Sequence, residues 1–432
     1  MEPVRTARRG RTRILTASGL ATALLLTACG GGGDGGGGDG EGVTLEFGWW
    51  GSDTRHQNTQ DIIDAFEEEH PDITVEGRYG PWDGYWDQLA TQTAGGDAPD
   101  IMQMDELYLR EYADRGALLD LADVDVSQMD ESVVQNGQAD GSQYGITIGI
   151  NAFVMLANPD HFTEAGVEMP DDTSWTWQEY QDVAVELSEN LDSSWGAGGF
   201  DETGGFQTWL RQHGKHLSTE EGELGYEPAD AEEYFAYIQE LLDAGATPSA
   251  SALAEDHGVG PDDSLTTSGD VAMRAWWSNQ TVALSEAVGT ELRLLRFPSP
   301  EGGEHGAAPW YKSSMFLSAS ADTEHPEEAQ EFIDFFVNSQ EAAEIEMTER
   351  GIPPNTEIRE QITEQLEGPQ QAVAEYIADI EDELGPPEPV PAKGGSTFQE
   401  ILYRYQDEVL FGRQSPAEAA EAMYAEMEAE LQ

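Results

Sequence analysis

The sequence predicts an α/β protein folded as two lobes, on three observations. About 390 residues follow a Gly-rich segment at 30–42, more than one hydrophobic core usually organises. The first of them run strand, helix, strand, the pattern of a parallel sheet covered by helices. Cys29 is the only cysteine, so no disulfide framework takes the place of a core.

Residues 1–28 read as a signal peptide. Arg5, Arg8, Arg9, Arg11 and Arg13 precede a largely apolar run at 14–26, too short to span a bilayer comfortably. Leu26-Thr27-Ala28-Cys29 has the form of a bacterial lipobox. Cleavage before Cys29 would leave a thiol able to carry a diacylglyceryl thioether, and two acyl chains make attachment durable. An ordinary signal with a buried cysteine is the alternative. Residues 30–42 then form a flexible tether reaching roughly 20 Å. No later apolar stretch is long enough to span a membrane. The rest of the chain is therefore expected outside the cytoplasm, held to the cell membrane by lipid alone.

Residues 43–49 alternate as a first strand, 61–69 place Ile62, Ile63 and Phe66 on one helical face, and 72–77 return as a strand. A helix at 85–94 stops at Gly95-Gly96, a short strand covers 100–104, and a helix covers 107–115. Residues 144–156 read as one long strand. Thr176-Trp177-Gln178-Glu179 is a capping box opening a helix to about 189. A helix at 231–244 ends at Gly245. Strands follow at 270–274, 291–297 and 313–320. Residues 326–338 carry Ala329, Phe332, Ile333, Phe336 and Val337 at helical spacing. Ser415-Pro416-Ala417-Glu418 opens the last helix.

Charge narrows the function classes. The chain has 85 Asp+Glu against 20 Lys+Arg, a formal net of −65, and without residues 1–28 the balance is 15 basic against 84 acidic, or −69. Such a field repels nucleic acid and anionic headgroups. The acids are scattered among apolar residues, as on a surface adapted to a salty medium that screens self-repulsion.

The order of motifs resembles the extracellular solute-binding lipoproteins of carbohydrate ABC importers, the family that includes maltose-binding protein. The matching pieces run from Trp49-Trp50-Gly51 with Arg55, through His70-Pro71-Asp72-Ile73 and Gly96-Asp97-Ala98-Pro99-Asp100, to the run at 273–280 (MRAWWSNQ). They continue with 312–317 (KSSMFL), His325-Pro326-Glu327-Glu328-Ala329 and Arg350-Gly351-Ile352-Pro353-Pro354-Asn355. The resemblance implies a periplasmic-binding-protein-like fold, two α/β lobes joined by a multi-crossover hinge with ligand held in the cleft between them. Carried onto this chain, the crossovers fall near 144–150, 296–300 and 349–352. The N-lobe is then 43–147 plus 298–349 and the C-lobe 148–297 plus 350–432. The partners implied are a small-molecule carbohydrate and the permease subunits, with the chain a monomer needing no cofactor.

A sugar site needs aromatic platforms for C–H faces and planar polar groups for hydroxyls. Of the tryptophans, Trp49 and Trp50 end the first strand, where ligands bind in open α/β sheets. One of them should be core, and Trp50 is expected as the exposed platform. Arg55 would donate to adjacent hydroxyls, or make a salt bridge. Trp82, Tyr85 and Trp86 cluster at a loop–helix junction, as a platform group or a satellite core. Asp105 resembles the family's ligand-facing acid, with a helix-terminal carboxylate as its plain alternative. Asn151 lies beside the first crossover; Trp276, Trp277 and Asn279 follow a strand, and one tryptophan of that pair should be core. Trp310 and Lys312 follow the second crossover, and Lys312 is one of only three lysines.

Rival chemistries find less support. Two carboxylates for glycoside hydrolysis could be chosen from 85 acids by chance, so an anchored carbohydrate-active enzyme stays only as the alternative. There is no G-x-S-x-G, H-E-x-x-H or Walker loop, and no catalytic residue is assigned. His213 and His216 have metal-like spacing without further ligands, so no metal is expected. A polyamine or peptide would keep the fold and change the ligand.

Overall fold

The computed structural model describes residues 42–431 apart from 52, 81, 201, 220–221, 258–262, 303–305, 387 and 390–393. The signal segment, Cys29 and most of the tether lie outside the described residues. The chain begins with β1 (Val43–Trp50), α1 (Asp53–Glu69), β2 (Ile73–Gly80), α2 (Trp82–Gly95), β3 (Ile101–Met104) and α3 (Glu106–Asp114). β1 pairs in parallel with β2 from Val43↔Ile73 to Trp50↔Gly80, and with β3 on its other side. The β-α-β unit is present as expected. α1 starts at Asp53 rather than 61, because its first turns are polar and show no apolar stripe.

A two-residue hairpin, β4 (Gln138–Ala139) and β5 (Ser142–Gln143), precedes β6 (Ile146–Asn151) and β7 (Phe153–Ala157). β8 (Trp195–Ala197), β9 (Val271–Trp277), β10 (Arg293–Leu295) and β11 (Lys312–Ala319) complete the strands among the described residues. They form two main sheets, ordered β2-β1-β3-β11-β6 and β10-β7-β9-β8. Each has its own core. Phe47, Phe66, Phe332 and Phe336 fill the first, and Phe153, Tyr180, Tyr234 and Met423 the second. The helix Pro326–Asn338 buries all five residues of its predicted stripe. Both capping boxes form, Thr176 with Glu179 and Ser415 with Glu418.

The run expected as one strand is two. β6 belongs to the first sheet and β7 to the second, and Ala152 alone separates them, its N–H donating to Ser278 Oγ at 3.1 Å. Continuous apolar character cannot show such a break, since both strands are buried throughout.

The sequence reading places the stretch 298–311 with the first half. It packs instead against the second: Trp177 N–H donates to the Ser299 carbonyl, and Gln212 Nε2 donates to the carbonyls of Pro298 and Ala307. Phe297 and Trp310 are buried in the second core. The chain therefore re-enters the first sheet at Lys312, which pairs with Asn151. The third passage follows Gly351: Ile352 still pairs with Ile150 of β6, and the helix Gly368–Asp379 beyond it packs against β10 of the second sheet.

That third crossing requires glycine. Gly351 has φ +110°, and a Cβ there would lie 2.8 Å from the Ile150 carbonyl oxygen and 2.9 Å from Asn151 Oδ1. Gly351→Ala is expected to cost about 1–3 kcal/mol, from forced backbone strain plus displacement of Asn151. A urea midpoint equal to that of the unsubstituted chain would refute this.

Candidate functional site

The ends of β1 and β9 both carry adjacent tryptophans, and the strand period of two separates each pair. Trp49 turns into the first core against Phe47, its Nε1 donating to His56 Nδ1 at 3.0 Å. Trp50 turns to the opposite face, but it is not exposed. Tyr85 and Trp86 of α2 cover it at ring separations of 5.1 and 5.2 Å, leaving 7% accessible. The Tyr85 hydroxyl donates to the Gln103 carbonyl at 2.7 Å, and burial pushes its pKa well above the usual tyrosine value. Tyr85 is thus part of the packing, and Trp86 stacks on Tyr108 at 3.7 Å. The Trp82 side chain lies outside the described residues.

Arg55 takes the salt-bridge alternative. Its Nε donates to Glu349 Oε2 at 2.7 Å, and Nη1 reaches the Trp50 carbonyl at 3.5 Å. Asp105 likewise takes the plain alternative, capping α3 by accepting from Leu107 N–H at 3.0 Å.

At β9, Trp276 is core, donating from Nε1 to Thr266 Oγ1 at 2.9 Å. Trp277 faces the other way and is half-buried. It packs on Phe153 at 4.8 Å and meets Trp310 edge-on at 6.1 Å and 89°. Lys312 Nζ, from the first sheet, stands 4.8 Å above the Trp277 ring and 3.1 Å from Glu106 Oε1 at the head of α3. Arg211 lies 5.0 Å over Trp310 and pairs through Nη1 with Glu388 Oε1 at 2.7 Å. Asn151 is buried with Oδ1 finding no hydrogen-bond partner among the described residues, and the same holds for Asn279 Oδ1.

These contacts bring Asn151, Trp277, Trp310 and Lys312 together where the two sheets meet, with Asn279 two residues beyond Trp277 in the turn Ser278–Gln280. They leave Trp50 of β1 with Tyr85 and Trp86 of α2 in a separate cluster. Glu106, Arg211 and Glu388 were not foreseen. Arg211 could have been, by the scarcity of cations that singled out Lys312. The two acids could not, among 85.

The electrostatics are coupled. Burial raises the Glu106 carboxyl above its usual value, Lys312 pulls it down, and Asp105 and Glu388 push it up. Burial works against the Lys312 charge, yet Glu106, Asp105 and Glu202 hold its pKa above the ordinary lysine value. A carboxyl raised in the native state binds more protons there than in the unfolded chain, between its ordinary and native pKa values. Its contribution to stability therefore falls as pH rises through that window. Glu106→Gln should consequently gain on the unsubstituted chain as pH rises from about 4.5, read as the difference of two denaturation curves. A difference that is flat or moves the other way would refute the raised pKa.

Among the described residues, no group of three or more His, Cys, Asp or Glu is placed to hold a metal ion. His213 Nδ1 lies 2.7 Å from the Trp209 carbonyl and His216 Nδ1 3.2 Å from Glu388 Oε1. No helix among them is long and apolar enough to cross a membrane.

Two sheets joined by three crossings, with aromatic and polar groups gathered between them, define a binding-protein class of fold. The model of the bacterial extracellular solute-binding proteins matches residues 61–372, and the chain belongs to that family. An uncharacterized lipoprotein in the oleD 5′ region of Streptomyces antibioticus is 26% identical over 373 residues, 80% of this chain and 77% of that one. A family 1 extracellular solute-binding protein from Alicyclobacillus acidocaldarius superposes with a TM-score of 0.74 at 28% identity, covering 90% of this chain and 99% of its own. A periplasmic oligogalacturonide binding protein from Yersinia enterocolitica, in complex with saturated digalacturonic acid, gives 0.75 at 25% identity, covering 90% and 98%.

Proposed function

We propose that this chain is the lipid-anchored capture subunit of a carbohydrate ABC importer, taking up an oligosaccharide between its two halves and handing it to a permease. The observation that supports this reading most is the half-buried Trp277 ring, backed edge-on by the buried Trp310, beside Asn151 and Asn279, whose amide oxygens find no hydrogen-bond partner among the described residues. Flat aromatic faces suit sugar C–H groups, and free acceptors suit hydroxyls. The relatives support it as well, since one binds oligogalacturonide and another is a lipoprotein. In this reading residues 43–151 and 312–351 form one lobe, 152–311 and 352–432 the other, and a hinge at Ala152, Lys312 and Gly351 closes them on ligand. The sugar leaves chemically unchanged.

A thermal-shift screen of the mature chain in high salt tests it, against mono- and oligosaccharides, amino acids, peptides and polyamines. A binding sugar adds about 2.7 kcal/mol at roughly a hundredfold excess over its Kd. Stabilisation by peptides alone would overturn the ligand class, and turnover of a sugar would overturn the non-enzymatic role. Anchoring has its own test: Cys29→Ser should move the protein from the membrane fraction to the medium, and retention would argue against the lipid.

A further inference from the structure

We infer that this site selects neutral or amino-bearing sugars and turns away uronates, with Glu106 and Glu388 setting that choice. The inference rests on reading the same site as a sugar cleft, and goes beyond it by fixing the charge of the ligand.

A ligand carboxylate needs a cation or several N–H donors, and the site's cations are already engaged. Lys312 Nζ is 3.1 Å from Glu106 Oε1, and its other side lies on the Trp277 ring. Arg211 donates through Nη1 to Glu388 at 2.7 Å, through Nε to the Ala308 carbonyl at 3.1 Å and through Nη2 to the Pro309 carbonyl at 3.4 Å. The pair is closed off from solvent: the Arg211 and Glu388 side chains are 3% and 11% accessible. A uronate could recruit either cation only by releasing Glu106 or Glu388. The released carboxylate would then sit desolvated beside the incoming one.

The remaining polar groups point the same way. Asp105 and Glu202 add negative potential at Lys312, and Glu388 adds it at Glu106. Asn151, with 5% of its surface accessible, carries an amide oxygen that finds no donor among the described residues, and Asn279 Oδ1, on a half-buried side chain, finds none among them either. Asn151 stands opposite Lys312 in the β6–β11 ladder, so both side chains lie on one face of the sheet. Unfilled acceptors call for hydroxyl or ammonium hydrogens, which neutral sugars and hexosamines carry. This differs from the Yersinia relative, whose structure holds saturated digalacturonic acid.

The experiment is calorimetric titration of the purified mature protein with matched series. Oligomers of glucose, mannose and galactose, two to four units long, are compared with their uronate and hexosamine counterparts, and with spermidine. At about 50 mM salt a neutral or amino oligomer should bind at least about a hundredfold more tightly than its uronate. The gap should narrow at high salt, and should shrink to below about tenfold in Glu106→Gln/Glu388→Gln. A uronate bound as tightly as its neutral partner by the unsubstituted protein would overturn the inference and leave the sugar reading intact. Binding of spermidine with silence from every sugar would overturn the sugar reading and leave the charge preference standing. Silence from every probe would overturn both. The central comparison uses the unsubstituted protein, so the inference stays exposed to refutation even where the double variant fails to fold.

Discussion

Arg350→Met is expected to destabilise the chain by about 3–5 kcal/mol, the loss typical of removing one partner from a buried ion pair. Arg350 is fully buried and ties three elements of the first half together. Its Nη1 pairs with Glu346 at 2.8 Å, Nη2 donates to Thr59 Oγ1 of α1 at 2.7 Å, and Nε donates to Gln103 Oε1 of β3 at 3.1 Å. The substitution strands Glu346, whose carboxyl burial already raises above its usual value while Arg350 restrains it. Without Arg350 the native pKa rises further. Stability then declines as pH climbs from the ordinary glutamate value through the native one, so the deficit should be smallest near pH about 4.5 and largest near neutrality. Adding Glu346→Gln should recover part of the loss. Denaturant unfolding at high salt measures all three proteins. A deficit below about 1 kcal/mol at pH 7 would mean that the buried pair contributes little.

Trp277→Ala is expected to weaken binding of the proposed sugar ligand by about 2 kcal/mol, roughly thirtyfold, with the fold retained. Its neighbour should behave in the opposite way. Trp276 is 1% accessible with its Nε1 satisfied by Thr266 Oγ1, so Trp276→Ala should cost about 3–5 kcal/mol of stability. The pair is one residue apart in sequence and on opposite faces of β9. Titration and thermal unfolding of both variants separate the roles. Unchanged affinity in Trp277→Ala would remove the aromatic platform from the proposed site.

Much of the fold was legible in patterning because local rules and tertiary packing agreed. The stripe on 326–338 is buried as drawn, and the capping boxes at Thr176 and Ser415 close as their spacing predicts. The candidate site was legible in part. Lys312 stood out because cations are rare here, and it does sit between the two sheets. The sequence predicts an exposed Trp50 because a tryptophan at the end of a strand has no local reason to be covered. The cover comes from α2, whose Tyr85 and Trp86 approach only in three dimensions. Arg55 and Asp105 each had two available partners, a ligand or the protein, and the protein took both.

By itself the sequence determined the α/β class, the first β-α-β unit, the capping boxes at Thr176 and Ser415, the extreme negative charge and the order of motifs shared with solute-binding proteins. These depend on residues near one another in the chain, where periodicity and capping chemistry act. Only the tertiary structure decided where the chain passes between sheets, at Ala152 and Lys312, and which tryptophan of each pair faces its core. It also decided that Glu106 and Glu388 take up the cations of the site. The reason is physical. Burial on both faces erases the strand period at a crossing, and a salt bridge between residues hundreds of positions apart leaves no local trace in an acid-rich chain.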